Sequence, residues 1–119
     1  MKVVKIIHWV GTILLSLLML FSAFNYFFNY EMIVGFFKAF GYPTYIIYPL
    51  AVLKILGVVA ITTKKVKWLT EWAYAGFFFD IVLAAQAHIS IGDGQQGGAF
   101  MALVLFLVSF ITYRRLAAM

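Results

Sequence analysis

Four long apolar runs limit this chain to the folds that a lipid bilayer permits. They cover about residues 6–28, 45–62, 72–91 and 98–113. Of the 119 residues, 66% are hydrophobic and 11% are charged, whereas soluble domains are about half apolar and about a quarter charged. Each run is close to the roughly 17–25 residues that a helix needs to cross a hydrocarbon core. The sequence therefore predicts a membrane protein.

Backbone groups within lipid must bond inside their own segment, so these runs are expected to be helices. We predict an all-α, transmembrane four-helix bundle that forms a single domain over residues 1–119. The first run exceeds the 7–15 residues typical of a signal-peptide core and is expected to be retained as a span.

The connectors differ in character. Residues 29–45 (NYEMIVGFFKAFGYPTY) are too polar to cross the bilayer but aromatic enough for its interface. They predict a short interfacial helix from Glu31 to Phe40, between helices 1 and 2, that ends at Gly41-Tyr42-Pro43. TKKVKWLTE reads as a basic turn, and GDGQQGG, residues 92–98, as a polar loop that lacks the lysine and the strand of a P-loop.

The basic residues predict the orientation in the membrane. If four spans alternate, seven of them fall on one side: Lys2, Lys5, Lys64, Lys65, Lys67, Arg114 and Arg115. The positive-inside bias then places both termini and the middle turn in the cytoplasm, in a bacterial inner membrane. The tyrosines expected at the opposite boundary are Tyr26, Tyr30, Tyr42, Tyr45 and Tyr48. Because the net charge of +5 is scattered beside apolar runs, no nucleic-acid partner is expected.

Two opposite charges lie inside the apolar runs. Asp80 is about eight residues into the third run and Lys54 about nine into the second, roughly 12 and 13.5 Å deep at 1.5 Å per residue. The two helices are antiparallel neighbours, so depth allows a Lys54–Asp80 contact near the midplane. The small residues Ala73, Gly76, Ala84 and Ala87 share the Asp80 stripe, which is typical of close helix packing in lipid. By the same periodicity, Phe78, Phe79, Ile81 and Val82 are expected to lie away from this stripe, toward lipid or less crowded neighbours.

A charge at mid-bilayer costs about 2.5–3.5 kcal/mol on insertion scales, and pairing or protonation removes most of this cost. The pair can be a structural ion pair that fixes the register of the helices. It can equally form a core site for a polar or redox-active ligand or for a proton step. Both interpretations remain open at the level of sequence.

Secondary polar candidates are His88, Asp93 and Glu71. His88 is either a proton acceptor or ligand near Asp93 or a histidine that caps the helix end. Glu71 is explained as a carboxylate in the first turn of the third helix. His8 and His88 are expected at opposite faces, so no metal is predicted. The chain contains no cysteine, which excludes disulfides and thiolate sites within it.

Several motifs are similar to those of the DoxX-like family of small four-helix membrane proteins. They are Gly41-Tyr42-Pro43, Leu53-Lys54-Ile55-Leu56-Gly57, Glu71-Trp72-Ala73-Tyr74-Ala75-Gly76-Phe77, Phe79-Asp80, Ala84, His88 and Gly92-Asp93. The resemblance covers most of the chain from Gly41 onward. It departs from the family pattern at Leu83 and Ala87, which are expected to close part of a pocket.

The resemblance implies a link to quinone chemistry, because the family name comes from a subunit of a terminal quinol oxidase and relatives are linked to thiosulfate:quinone oxidoreduction. It supplies no settled catalytic residue, and whether this chain is an enzyme is left open. We expect a component or accessory subunit of a redox or quinone-linked system. The ligand class is a quinone or lipid, and the partners are membrane lipids and a second copy or another membrane protein. The alternatives are an oligomeric transporter or channel element and a non-catalytic assembly module.

Overall fold

The computed structural model describes residues 2–92 and 96–117. These residues form five α-helices: α1 (Lys2–Phe28), α2 (Tyr30–Phe40), α3 (Ile47–Thr63), α4 (Lys67–Ile91) and α5 (Gln96–Ala117). A 3₁₀ turn, Thr44–Ile46, leads into α3. Within this described part, four helical segments are long and apolar enough to cross a membrane, and they begin at Lys2, Thr44, Lys67 and Gly97. The predicted all-α bundle of four spans is confirmed.

The four long helices pack in a ring. α1 contacts α3 and α5, and α4 contacts the same two helices, within a bundle of 45 × 26 × 20 Å. The short helix α2 contacts α1 and α4. We call the end of the bundle that carries α2 the α2 end, and the opposite end, where α1 begins and α5 finishes, the terminal end.

Glycine stops two of the helices. Gly41 follows α2 with φ 80°, and Gly92 follows α4 with φ 66°. Glycine adopts this left-handed conformation without the steric penalty that other residues meet. The N–H of Gly41 bonds the Lys38 carbonyl at 3.1 Å and the N–H of Tyr42 bonds the Phe37 carbonyl at 2.9 Å. The predicted stop after Phe40 is therefore confirmed.

Two further glycines allow helices to approach closely. A Cβ atom at Gly11 would lie 2.7 Å from Val108 Cγ1, at the α1–α5 contact. A Cβ atom at Gly57 would lie 2.6 Å from Phe77 Cζ, where α3 meets α4. Small residues of this kind are what allows helices in lipid to gain packing energy. They fix the arrangement of the helices that carry Lys54 and Asp80.

Candidate functional site

Lys54 is almost fully enclosed near the middle of α3. Its side chain is 7% exposed. The ammonium donates a hydrogen bond to Ser22 Oγ at 2.6 Å and lies 4.0 Å from the centre of the Tyr26 ring. Both partners belong to α1, so this helix supplies most of the lysine's immediate polar surroundings.

Asp80 completes the pair from α4. Its Oδ2 atom lies 3.9 Å from Lys54 Nζ, and its side chain is 27% exposed. The helices thus bring the two charged residues of the apolar runs together. The separation is longer than a charge-assisted hydrogen bond of about 2.7–2.9 Å. Asp80 is therefore the more accessible and less tightly held member of the pair.

An apolar groove runs from the pair to the terminal end, between α3 and α4. This α3–α4 groove has a volume of about 530 Å³. Its walls include Leu53, Leu56 and Val59 from α3, and Leu69, Trp72 and Gly76 from α4. Apart from Gly76, which has no side chain, each of these residues has a side chain that is more than a third exposed. They lie on helices that are apolar enough to span the bilayer. The groove therefore faces lipid.

A second cavity lies on the other side of the pair, toward α2. This α2-end cavity has a volume of about 400 Å³. It is lined by Ser22, Asn25 and Tyr26 from α1, Phe36 from α2, and Ala84 and His88 from α4. Lys54 and Asp80 line both this cavity and the groove. The ion pair thus forms the boundary between two spaces of different polarity.

The secondary polar candidates do not form one site. His88 lines the α2-end cavity, where its ring centre lies 5.0 Å from that of Phe40 and 6.0 Å from that of Phe36. Glu71 precedes it by seventeen positions on α4, or about 25 Å at 1.5 Å per residue. Asp93 lies outside the described residues. The expectation that Glu71 occupies the first turn is wrong, because α4 begins already at Lys67.

Several predicted helix faces need correction. Ile81, expected to face lipid or less crowded neighbours, is buried with 3% exposure, whereas nothing lies within 4 Å of a Cβ atom built at Gly76. The small residues around Asp80 therefore leave space for the groove and the cavity instead of packing closely throughout. Tyr26, expected in the boundary belt, points into the bundle, where its ring lies against the Lys54 ammonium.

The expected pocket closure by Leu83 and Ala87 is also wrong. Leu83 is 49% exposed and Ala87 is buried. Neither residue lines the groove or the α2-end cavity. Because lipid is as apolar as a leucine side chain, an outward leucine is accommodated without cost.

A buried polar cluster near the terminal end was not predicted as a unit. His8 Nδ1 donates to the Ser109 carbonyl at 3.1 Å, and Ser109 Oγ is hydrogen-bonded to Thr12 at 2.6 Å and to Tyr74 at 2.7 Å. Lys64 Nζ donates to His8 Nε2. The cluster ties α1, α4 and α5 to the α3–α4 turn. The signal in the sequence was the spacing of His8 and Thr12, which puts both on one helix face.

Lys64 also has an unusual backbone. It is the residue after α3 and adopts φ 53°, in the left-handed region. Its ammonium lies 4.4 Å from the centre of the Trp9 ring. Partial burial lowers the pKa of this amine below the ordinary lysine value of 10.5, because desolvation disfavours its charged form. The hydrogen bond with His8 and the aromatic contact offset the strain of this turn.

Across residues 2–92 and 96–117, no three His, Asp or Glu side chains converge in a way that could hold a metal ion. The two histidines lie at opposite ends of the bundle, since His8 contacts Lys64 and His88 contacts Phe40.

Comparison with known proteins gives a family and a membrane class. Neither the curated proteins nor the solved structures include a significant match to this sequence. A family model described as the DoxX-like family matches residues 10–112. That match covers the whole bundle core, including the Lys54–Asp80 pair, and the four apolar helices agree with it. The chain therefore belongs to the DoxX-like family and is a small, multi-pass membrane protein.

Proposed function

We propose that this protein is a component or accessory subunit of a redox or quinone-linked membrane system, and that it binds a quinone. The head group would lie at Lys54 and Asp80, and the tail would occupy the α3–α4 groove. The observation that carries this proposal is the position of an ion pair, with an enclosed lysine and a partly exposed aspartate, at the inner end of an apolar groove that faces lipid.

The chemistry of the pair suits such a head group. A lysine ammonium has three donors, of which one is used by Ser22. Asp80 Oδ2 lies 3.9 Å away, beyond hydrogen-bond distance, so the ammonium keeps donors for a quinone carbonyl. The Asp80 carboxylate can accept a hydrogen bond from the hydroxyl of the reduced quinol. The pair thus offers groups for both redox forms of the ligand.

The quinone tail would position the ligand in the groove but add little to its binding affinity. Lipid chains are as apolar as the groove, so a tail gains little hydrophobic energy by leaving the bilayer. Affinity must therefore come mainly from the head group. This argument predicts that changes at Lys54 or Asp80 reduce binding more than conservative changes in the apolar wall do.

Tryptophan fluorescence provides the test, because Trp72 lines the groove and Trp9 does not. A Trp72-only protein, with Trp9→Phe and Trp68→Phe, is titrated in nanodiscs with a short-tailed quinone. We expect saturable quenching that weakens at least tenfold in Asp80→Asn or Lys54→Met. Equal, non-saturating quenching in the matched Trp9-only protein would instead show simple partition into lipid and contradict the proposal.

Transport is the second candidate, because Lys54 and Asp80 line both the groove and the α2-end cavity. A chain of 119 residues encloses little interior, so conduction would require several copies or a membrane-protein partner. Proton or solute flux in liposomes that is abolished by Asp80→Asn would support this function. Absence of both flux and quinone binding, together with a stable partner in a pull-down, would favour an assembly module.

The proposed location is a bacterial inner membrane with both termini in the cytoplasm. Support comes from the terminal end, which carries the basic residues of α1, the α3–α4 turn and α5, whereas Lys38 lies on α2. The positive-inside bias favours the cytoplasm for the more basic end.

A further inference from the structure

We propose that the α2-end cavity is a water-filled pathway along α1 that connects Asp80 with the aqueous phase at the α2 end, so that the central pair exchanges protons from that side alone. The inference concerns the same ion pair as the proposed function. It does not require that a quinone binds, and its test uses no quinone.

The first observation is a polar track on one helix. Ser22 and Asn25 on α1 and Asn29, which lies between α1 and α2, follow each other toward the α2 end. Ser22 accepts the hydrogen bond from Lys54, and the Asn29 amide donates to Asn25 Oδ1 at 2.7 Å. Amide and hydroxyl groups are costly in hydrocarbon unless they bond to protein or water. The track provides such partners over the full distance from the pair to the helix end.

The second observation is the size and polarity of the cavity. A volume of about 400 Å³ exceeds the roughly 30 Å³ that one water molecule takes in the liquid, so several waters fit. Buried water also needs about two to four polar partners. Ser22, Asn25, Lys54 and Asp80 provide them on the cavity wall.

The third observation is that the opposite direction is closed. Beyond the pair, toward the terminal end, the bundle is filled by an apolar cluster that includes Leu15, Val58, Phe77 and Phe106. Phe77 lies so close to Gly57 that even a methyl group would clash there. The groove on the outside of α3 and α4 is lined by apolar side chains and the Trp72 indole from the pair to Thr63 and Lys65 at its far end. The polar groups of the His8 cluster lie at the terminal end, whereas the polar track of Ser22 and Asn25 favours entry of water to the pair from the α2 end.

The titratable groups on the cavity wall come from three helices. They are Tyr26 on α1, Lys54 on α3, and Asp80 and His88 on α4. The residues that α2 and α5 contribute to the wall are not titratable: Met32, Ile33, Phe36, Phe40, Gly98, Ala99 and Ala102. Asp80 is the carboxylate of this set, and Lys54 is the charge that faces it directly.

Thiol labelling tests the pathway, because the chain has no cysteine of its own. Single-cysteine variants in oriented proteoliposomes are treated on one side with a membrane-impermeant methanethiosulfonate, which reacts in water and not in lipid. Ser22→Cys and Ala84→Cys report on the cavity from opposite walls. Gly76→Cys reports on the groove and Phe79→Cys on the lipid face. Lys38→Cys and Lys5→Cys mark the α2 end and the terminal end.

We expect both cavity variants to react at least tenfold faster than Gly76→Cys and Phe79→Cys, and only from the side that labels Lys38→Cys. Ser22→Cys changes the hydroxyl that accepts the Lys54 hydrogen bond. Ala84→Cys leaves that bond intact and therefore serves as the second reporter. Cavity variants that react as slowly as Phe79→Cys, or that react from the Lys5→Cys side, would overturn the proposal.

Proton exchange is tested by modification of Asp80 with a hydrophobic carbodiimide, to which a protonated carboxyl group transfers its proton and adds through its oxygen. Proteoliposomes are held at different pH on the two sides, and labelled peptides are quantified by mass spectrometry. We expect Asp80 labelling to follow the pH at the α2 end. Labelling that follows the pH at the terminal end would overturn one-sided exchange, whatever the outcome of quinone titration.

Discussion

Lys54 is held more closely by Ser22 than by Asp80, its partner of opposite charge. The ammonium lies 2.6 Å from Ser22 Oγ and 3.9 Å from Asp80 Oδ2. The lysine is thereby fixed to α1, while the carboxylate on α4 keeps access to both adjoining spaces. This asymmetry makes Asp80 the member of the pair that a ligand or proton can engage without first releasing Lys54 from α1.

Removing one charge should cost more than removing both. Asp80→Leu leaves the enclosed Lys54 ammonium without its counter-ion, whereas Asp80→Leu with Lys54→Leu removes the stranded charge. We expect the single variant to be less stable than the double variant by about 2.5–3.5 kcal/mol, the insertion cost of a mid-bilayer lysine. Unfolding in mixed micelles measures the free energy of unfolding of the two variants. Equal losses of stability relative to the wild type would argue against a coupled pair.

The contact between Tyr26 and Lys54 should depend on the ring and not on the hydroxyl. Tyr26→Leu removes the aromatic face that lies 4.0 Å from the ammonium and should lower the free energy of unfolding by about 0.5–2 kcal/mol. Tyr26→Phe keeps that face and serves as the matched control. If Phe and Leu destabilise the protein to the same degree, the cation–π contact is not the source of the effect.

Two glycines of the α3–α4 interface should respond in opposite ways to alanine. Gly57→Ala places a methyl group 2.6 Å from Phe77 Cζ, and overpacking of this kind costs about 1–3 kcal/mol. Gly76→Ala meets nothing within 4 Å and gains about 0.8–1 kcal/mol of helix propensity. Comparative unfolding of the two variants checks this contrast, and a loss at Gly76 would mean that the groove is packed in the membrane.

Lys64 should give a stability that rises with pH. Burial lowers its pKa in the folded chain below 10.5, so the unfolded chain binds more protons between those two values. The free-energy cost of burying the charged amine is fully present below the lowered pKa of Lys64 and disappears as the pH approaches 10.5. The stability of the wild type relative to Lys64→Gln should therefore increase as the pH rises toward 10.5, measured by unfolding at each pH. A decrease would contradict the sign.

The orientation can be tested with alkaline phosphatase, which needs disulfides that form outside the cytoplasm. Fusion after Arg115 should be inactive, because the terminal end is the more basic one. Fusion after Gly41, beyond α2, is the control and should be active. Strong activity of the Arg115 fusion would reverse the proposed topology.

The number and nature of the helices followed from the sequence, because length and apolarity alone decide what can cross a bilayer. The meeting of Lys54 and Asp80 was also accessible, since helix rise converts sequence position into depth. The start of α4 was not accessible in the same way. The helix begins already at Lys67, within a segment whose lysines and threonines resemble a turn.

The direction in which each apolar side chain points, toward the bundle or toward lipid, was the least predictable property. Ile81 and Phe79 are equally apolar neighbours, yet Ile81 is buried and Phe79 is exposed. In a soluble helix water would separate the two faces, but lipid tolerates either orientation. The His8 cluster was missed for a related reason, because its members lie on three helices and a turn and only their packing shows that they meet.

Gly76 leaves part of the α3–α4 groove unfilled, because it has no side chain and no neighbour takes the place of one. A Cβ atom there projects into free volume, so larger side chains at this position would occupy the groove one helical turn from Asp80. The volume left for the tail of the proposed quinone would then depend on this one residue.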